Sequence, residues 1–82
     1  MDITVGNAVY SRAGRDKGEL YLVMKLEGDF AYLTDGKKRK ISNPKKKRLK
    51  HLNKINFVSE IFDGDMPEDY MIRNAIAEMK PI

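Results

Sequence analysis

The apolar residues of this chain fall into three patterns along its length, and each predicts a different element. In ELYLVMKL, Leu20, Leu22, Met24 and Leu26 recur at period two, with Tyr21, Val23 and Lys25 between them. Such alternation marks a strand with one face buried. Before it, NAVYSR carries the strand formers Val9 and Tyr10; after it, FAYL supplies Phe30, Tyr32 and Leu33. The connections GRDKG (14–18), EGD (27–29) and TDG (34–36) hold the Gly and Asp that tight turns favour, so antiparallel hairpins are expected. In GRDKG one or both glycines are expected at positive φ.

The pattern changes after residue 36. Ile41, Leu49, Leu52, Ile55, Phe57 and Val58 interrupt a stretch otherwise dominated by cations. SNP (42–44) predicts a turn, because the residue before Pro is pushed out of the helical region and Ser and Asn bond locally to the backbone. The three-residue spacing of Leu49, Leu52 and Ile55 predicts one tight helical turn leading into a last short strand. Farther on, FDGDMPED is acidic and turn-rich, and DYMIRNAIAEMK sets Ile72, Ala75, Ile76 and Met79 at i, i+3, i+4 and i+7. That spacing predicts an amphipathic helix. Asp65 or Met66 is expected at its cap, Pro67 in its first turn, Glu68 and Asp69 against its dipole, and Pro81 at its end. The chain thus divides into a β-rich unit over 1–59 and an acidic linker with a helix over 60–82, packed on or beside the strands.

Length narrows the function. Eighty-two residues make one small domain with a thin core, in which a large active-site cleft is hard to build, so a binding module is expected ahead of an enzyme. At 41% hydrophobic and 34% charged, the chain is too apolar for disorder and too charged for a membrane protein. It has no run of about eighteen apolar residues, and MDITVGNAVY lacks the basic start and apolar stretch of a signal peptide, so a cytoplasmic location is expected. Without Cys there is no disulfide framework and no thiolate metal site. No cofactor, membrane or small-molecule substrate is expected.

The net charge of +4 is unevenly spread. Residues 1–36 hold four basic and six acidic side chains, residues 37–54 hold ten basic and none acidic, and residues 55–82 hold two basic and six acidic. A +10 block between two acidic segments is a local field that attracts a polyanion. Ten cations without an acid exceed what solubility needs, since like charges repel. The interleaved apolar residues argue that the run is tied to a core, so its charges project from a fixed surface. They also argue against reading KKRK and KKKR as a flexible nuclear-localisation signal.

With strands, turn and basic run in place, the chain from Asn7 to about Asn56 resembles the KOW-motif family. Within it, the chain is most similar to small bacterial proteins related to an archaeal and eukaryotic large-subunit ribosomal protein. The residues that carry the resemblance are VYSRAGRDKGELYLVMKL (9–26), with Gly18 at the motif's characteristic glycine, and DGKKRKISNPKKKRLKHL (35–52). The resemblance implies a mainly β fold, a small SH3-like barrel of about five strands with a C-terminal α-helix, that binds RNA in or near the ribosome. It implies that Arg12, Arg15 and Lys17 at the first turn face RNA, as do Lys38, Arg39, Lys45, Lys46, Lys47, Arg48 and His51 in the basic run. The charge pattern adds Lys37, Lys40 and Lys50. Ribosomal RNA, and ribosomal proteins beside it, are the expected partners.

Blander readings compete at each position. GRDKG is first a hairpin turn, and it lacks the spacing of a phosphate-cradling nucleotide loop. Tyr10, Tyr21, Phe30 and Tyr32 offer rings on which unpaired bases stack, with Tyr10 and Tyr32 the better placed, but aromatics of a small barrel more commonly pack its core or rim. His51, the only His, reads as a structural or phosphate-contacting residue and not as a general base. Asp63, Asp65, Glu68 and Asp69 lack the D-x-D-x-D-G pattern of a calcium loop and read as linker and helix start. That acidic segment is also a candidate to mask the basic face when RNA is absent. The helix stripe is expected on an open end of the barrel, with a docking helix or self-association seam as the alternatives. The functional alternative is a protein-interaction module of the transcription or translation machinery, its basic run serving solubility.

Overall fold

The computed structural model describes residues 3–79. Five strands, β1 (Asn7–Ser11), β2 (Leu20–Glu27), β3 (Phe30–Thr34), β4 (Lys45–Arg48) and β5 (Leu52–Val58), precede one helix, α1 (Asp69–Met79). All pairings are antiparallel, in the order β4-β3-β2-β1-β5. The result is a mainly β, barrel-like fold with a C-terminal helix, as expected.

The turn chemistry operates as predicted. Gly14 and Gly18 both adopt positive φ, at 83° and 89°, and the hairpin closes with Gly18 N donating to Ser11 O at 2.8 Å and Ser11 N to Glu19 O at 3.0 Å. In SNP, Asn43 N donates to Lys40 O at 2.9 Å. A single 3₁₀ turn over Leu49–His51 leads directly into β5, the element that the Leu49, Leu52, Ile55 spacing predicts.

The two sides of the sheet bury separate clusters. The inner side gathers Ile3, Val9, Tyr21, Val23, Ala31, Leu33 and Leu52, with Leu26 and Leu49 packed against them. The outer side carries Ala8, Leu20 and Leu22, which meet Ile72, Ala75 and Ile76 of α1. The helix stripe therefore covers a face of the sheet and not an open end of the barrel. Leu20 to Val23 are buried on both faces, so the upstream half of β2 is not the half-buried strand its alternation predicts. The register shifts between Val23 and Lys25. One extra residue moves every following side chain to the opposite face. Leu26 accordingly joins Val23 inside, Met24 is partly exposed, and Lys25 stands outside.

The helix begins at Asp69, later than a cap at Asp65 or Met66 would place it. Pro67 precedes it and is buried, and Glu68 O accepts the first amide, from Met71 N, at 2.9 Å. Asp69 turns its carboxylate outward to accept a hydrogen bond from Ile41 N at 2.9 Å, while Arg73 Nη1 donates to Gly36 O at 2.7 Å. Gly36, at φ 75°, allows this approach: a Cβ there would lie 2.5 Å from Asp69 O. Pro81, the expected helix stop, lies outside the described residues.

Candidate nucleic-acid interface

The basic run is held by the fold at both ends and in the middle. The loop from Asp35 to Arg39 folds around one carboxylate, with Lys37 N and Arg39 N donating to Asp35 Oδ1 at 2.8 and 2.9 Å. Asp side chains favour such local turns because they replace a backbone partner. Arg39 O in turn accepts from Thr34 Oγ1 at 2.7 Å. Lys37, Lys38 and Lys40 point into solvent from this rigid loop, and Arg39 is half-buried.

β4 consists of four cations, KKKR. No hydrophobic alternation announces it; it is an edge strand set by pairing with β3, and charged side chains suit an edge because they discourage further strand addition. Its side chains divide by parity. Lys46 and Arg48 lie opposite Tyr32 and Phe30 on the outer face, and Lys45 and Lys47 lie opposite Leu33 and Ala31.

Lys47 departs from its expected role. Its side chain is only 10% exposed, and its Nζ lies 2.7 Å from Asp16 Oδ1, whose side chain is 12% exposed, and donates to Ala13 O at 2.7 Å. Lys45 stands 3.7 Å from Asp16 Oδ2, and Ser11 Oγ donates to Asp16 Oδ1 at 2.8 Å. Burial works against the Asp16 carboxylate, but the Lys47 and Ser11 hydrogen bonds and the charges of Lys47 and Lys45 outweigh it, bringing its pKa down to about 2. Next to it, burial, reinforced by the charges of Asp16, Asp35 and Glu19, pushes the Tyr21 phenol up to about 12. Asp16 thus fastens the glycine turn to the edge strand, and Lys47 is a structural cation.

The same fastening brings the two basic segments together. Arg15 from the turn, Lys38 and Arg39 from the loop, and Lys45 from β4 line a cleft of about 360 Å³ with Asp16, Glu19 and Tyr21. Lys38 Nζ lies 4.0 Å from Glu19 on the surface. Arg12 and Lys17 are exposed on the turn, and Arg12 N donates to His51 O at 2.8 Å, which sets half-buried His51 beside the hairpin. Lys50 is exposed, next to Arg48 and Asp29 around a separate hollow.

Lys25 lies outside the basic run and the glycine turn. It stands opposite Tyr32 across the outer face, with its ammonium 5.6 Å from that ring. Only the register shift puts it there; unbroken alternation places it beside Tyr21 and Val23. Of the aromatic candidates, Tyr21 is buried in the inner cluster, Tyr10 is 41% exposed, and Phe30 and Tyr32 are half-buried.

Among the described residues, no ion pair joins the acidic segment to the basic run. The helix reaches the 35–41 loop through Asp69 and Arg73, each bonded to backbone. Also among the described residues, no helix is long and apolar enough to cross a membrane, and no three His, Cys, Asp or Glu side chains gather as a metal site. The chain matches no family model and no curated protein.

Proposed function

We propose that this protein is a KOW-type RNA-binding protein that works at the ribosome, capturing folded RNA by its phosphates. The observation that carries this reading is the placement of the +10 segment. It is anchored by a carboxylate-centred loop, an edge strand and a 3₁₀ turn, so its charges stand on a fixed surface and lose little freedom on meeting a polyanion. The contacts are Arg12, Arg15 and Lys17 on the turn, Lys37 to Lys40 on the loop, and Lys45, Lys46, Arg48, Lys50 and His51 beyond it. Lys47 supports the surface from below. Lys and Arg on phosphates release counterions, which supplies affinity without reading sequence.

The competing reading is a protein-interaction module in which the barrel or its helix docks on a partner. Ile72 and Ile76 are buried against the sheet, which takes those two residues out of a docking surface. Co-sedimentation with ribosomal subunits on density gradients, at low and raised salt, tests the ribosomal assignment. Association with one subunit that persists at raised salt is expected. Loss from every fraction at raised salt would reduce the protein to a weak electrostatic binder or a factor for another RNA.

A further inference from the structure

The helix covers only part of the outer face of the sheet. Beyond the register shift in β2, that face is open and carries two cross-strand rows, Lys25–Tyr32–Lys46 and Glu27–Phe30–Arg48. Phe30 and Tyr32 belong to neither apolar cluster. Two rings that no core claims, side by side on a sheet face, call for an account other than packing.

Cations surround both rings. Lys46 Nζ is 4.6 Å from the Phe30 centroid and 5.8 Å from that of Tyr32, the Arg48 guanidinium is 4.8 Å from Phe30, and Lys25 is 5.6 Å from Tyr32. Glu27 is the acid on this face; it pairs with Lys25 at 3.7 Å and accepts a hydrogen bond from the Tyr32 hydroxyl at 3.3 Å. Three cations against one carboxylate leave the patch positive. Exposed cation–π pairs are weak, at roughly 0.5–1 kcal/mol each, so Lys46 and Arg48 can exchange a ring for a phosphate at little cost.

We infer that this face binds unpaired nucleotides, with bases stacked on Phe30 and Tyr32 and the flanking phosphates taken by Lys46, Arg48 and Lys25. The inference rests on the RNA-binding reading and adds which part of an RNA the protein selects. Side chains two apart on a strand are separated by about 6.8 Å, roughly twice the 3.4 Å per nucleotide along one strand of a DNA duplex. Successive bases reach both rings only when they are unstacked. A stacking platform beside backbone-tracking cations is the general means of holding single strands, and it tolerates any base because every base has a π face.

The test uses the full chain and three fluorescent RNA probes of equal length: a ten-nucleotide oligouridylate, the same backbone with its central four bases removed, and a ten-base-pair duplex. The base-bearing single strand is expected to bind more tightly than the abasic one, which carries the same phosphates. The Phe30→Leu/Tyr32→Leu variant keeps apolar bulk but has no ring, and with two stacked bases lost is expected to bind the base-bearing strand at least roughly 30-fold more weakly. Its log-log salt slope should be unchanged, because no phosphate contact is lost. The abasic comparison uses the unaltered protein and so holds even if the variant misfolds. Equal affinity for base-bearing and abasic strands, or an equal loss of duplex affinity in the variant, would overturn the inference while leaving RNA binding intact. Binding to none of the three would remove the RNA-binding reading, and this inference with it.

Discussion

Asp16 is the residue on which the two basic segments depend. Neutralising one partner of a largely buried ion pair leaves an uncompensated charge, and the lowering of the Asp16 pKa to about 2 puts that cost at about 2 kcal/mol. Asp16→Asn is therefore expected to lower the urea midpoint by a destabilisation of that order, and Arg15 and Lys45 to lose their common cleft. The depressed pKa of Asp16, about 2 against an ordinary 3.8, also makes its contribution pH-dependent. The unfolded state binds the proton more readily, so the stabilisation of about 2 kcal/mol is fully present above pH 3.8 and is lost as pH falls through about 2. Urea unfolding measured from pH 5 to pH 2 should show this loss in the native protein and not in Asp16→Asn; an identical acid profile in both would refute the assignment. None of this was legible beforehand. Asp16 reads as a turn residue and Lys47 as one cation in a run, and only the chain's return from residue 16 to residue 47 makes them partners.

Among the elements, what the sequence disclosed depended on whether a local pattern caused them. β1, β3, the glycine turn and the 3₁₀ turn before β5 follow from alternation, turn residues and three-residue spacing, all short-range effects. β4 does not: KKKR has no apolar period, and its extended form comes from pairing with β3 at the sheet edge. The double burial of β2 is likewise tertiary, because α1 arrives about fifty residues later along the chain to cover Leu20 and Leu22. The helix stripe itself was plain from the sequence, but the surface receiving it was not. Sheet and helix share one outer cluster, so they should unfold together. Ile72→Ala, at a fully buried position, is expected to cost about 2–5 kcal/mol and to shift one common transition followed by helix and sheet signals alike. Separate transitions would mean that α1 is only loosely attached.

At the scale of the molecule, the charge asymmetry of the sequence becomes a division of surfaces. The helix occupies one part of the outer face, Lys25, Lys46 and Arg48 stand on the rest of it, and the loop and glycine turn meet at Lys45 on the other side of the edge strand. The +10 block was legible from the distribution of charge along the chain, whereas the place of Lys25 in the open Lys25–Tyr32–Lys46 row depended on a register shift that no alternation pattern reveals. The proposed activity is electrostatic capture of RNA by these fixed cations. Its most direct test is the affinity for extracted ribosomal RNA measured over a range of salt concentrations, for the native protein and for Lys37→Ala/Lys38→Ala/Lys40→Ala, whose side chains are exposed on the loop. The native log-log plot should be linear and steep, and the triple variant shallower by roughly 0.7–0.9 for each phosphate contact removed. A native protein that fails to bind RNA at low salt, or a triple variant with the native slope, would contradict the account.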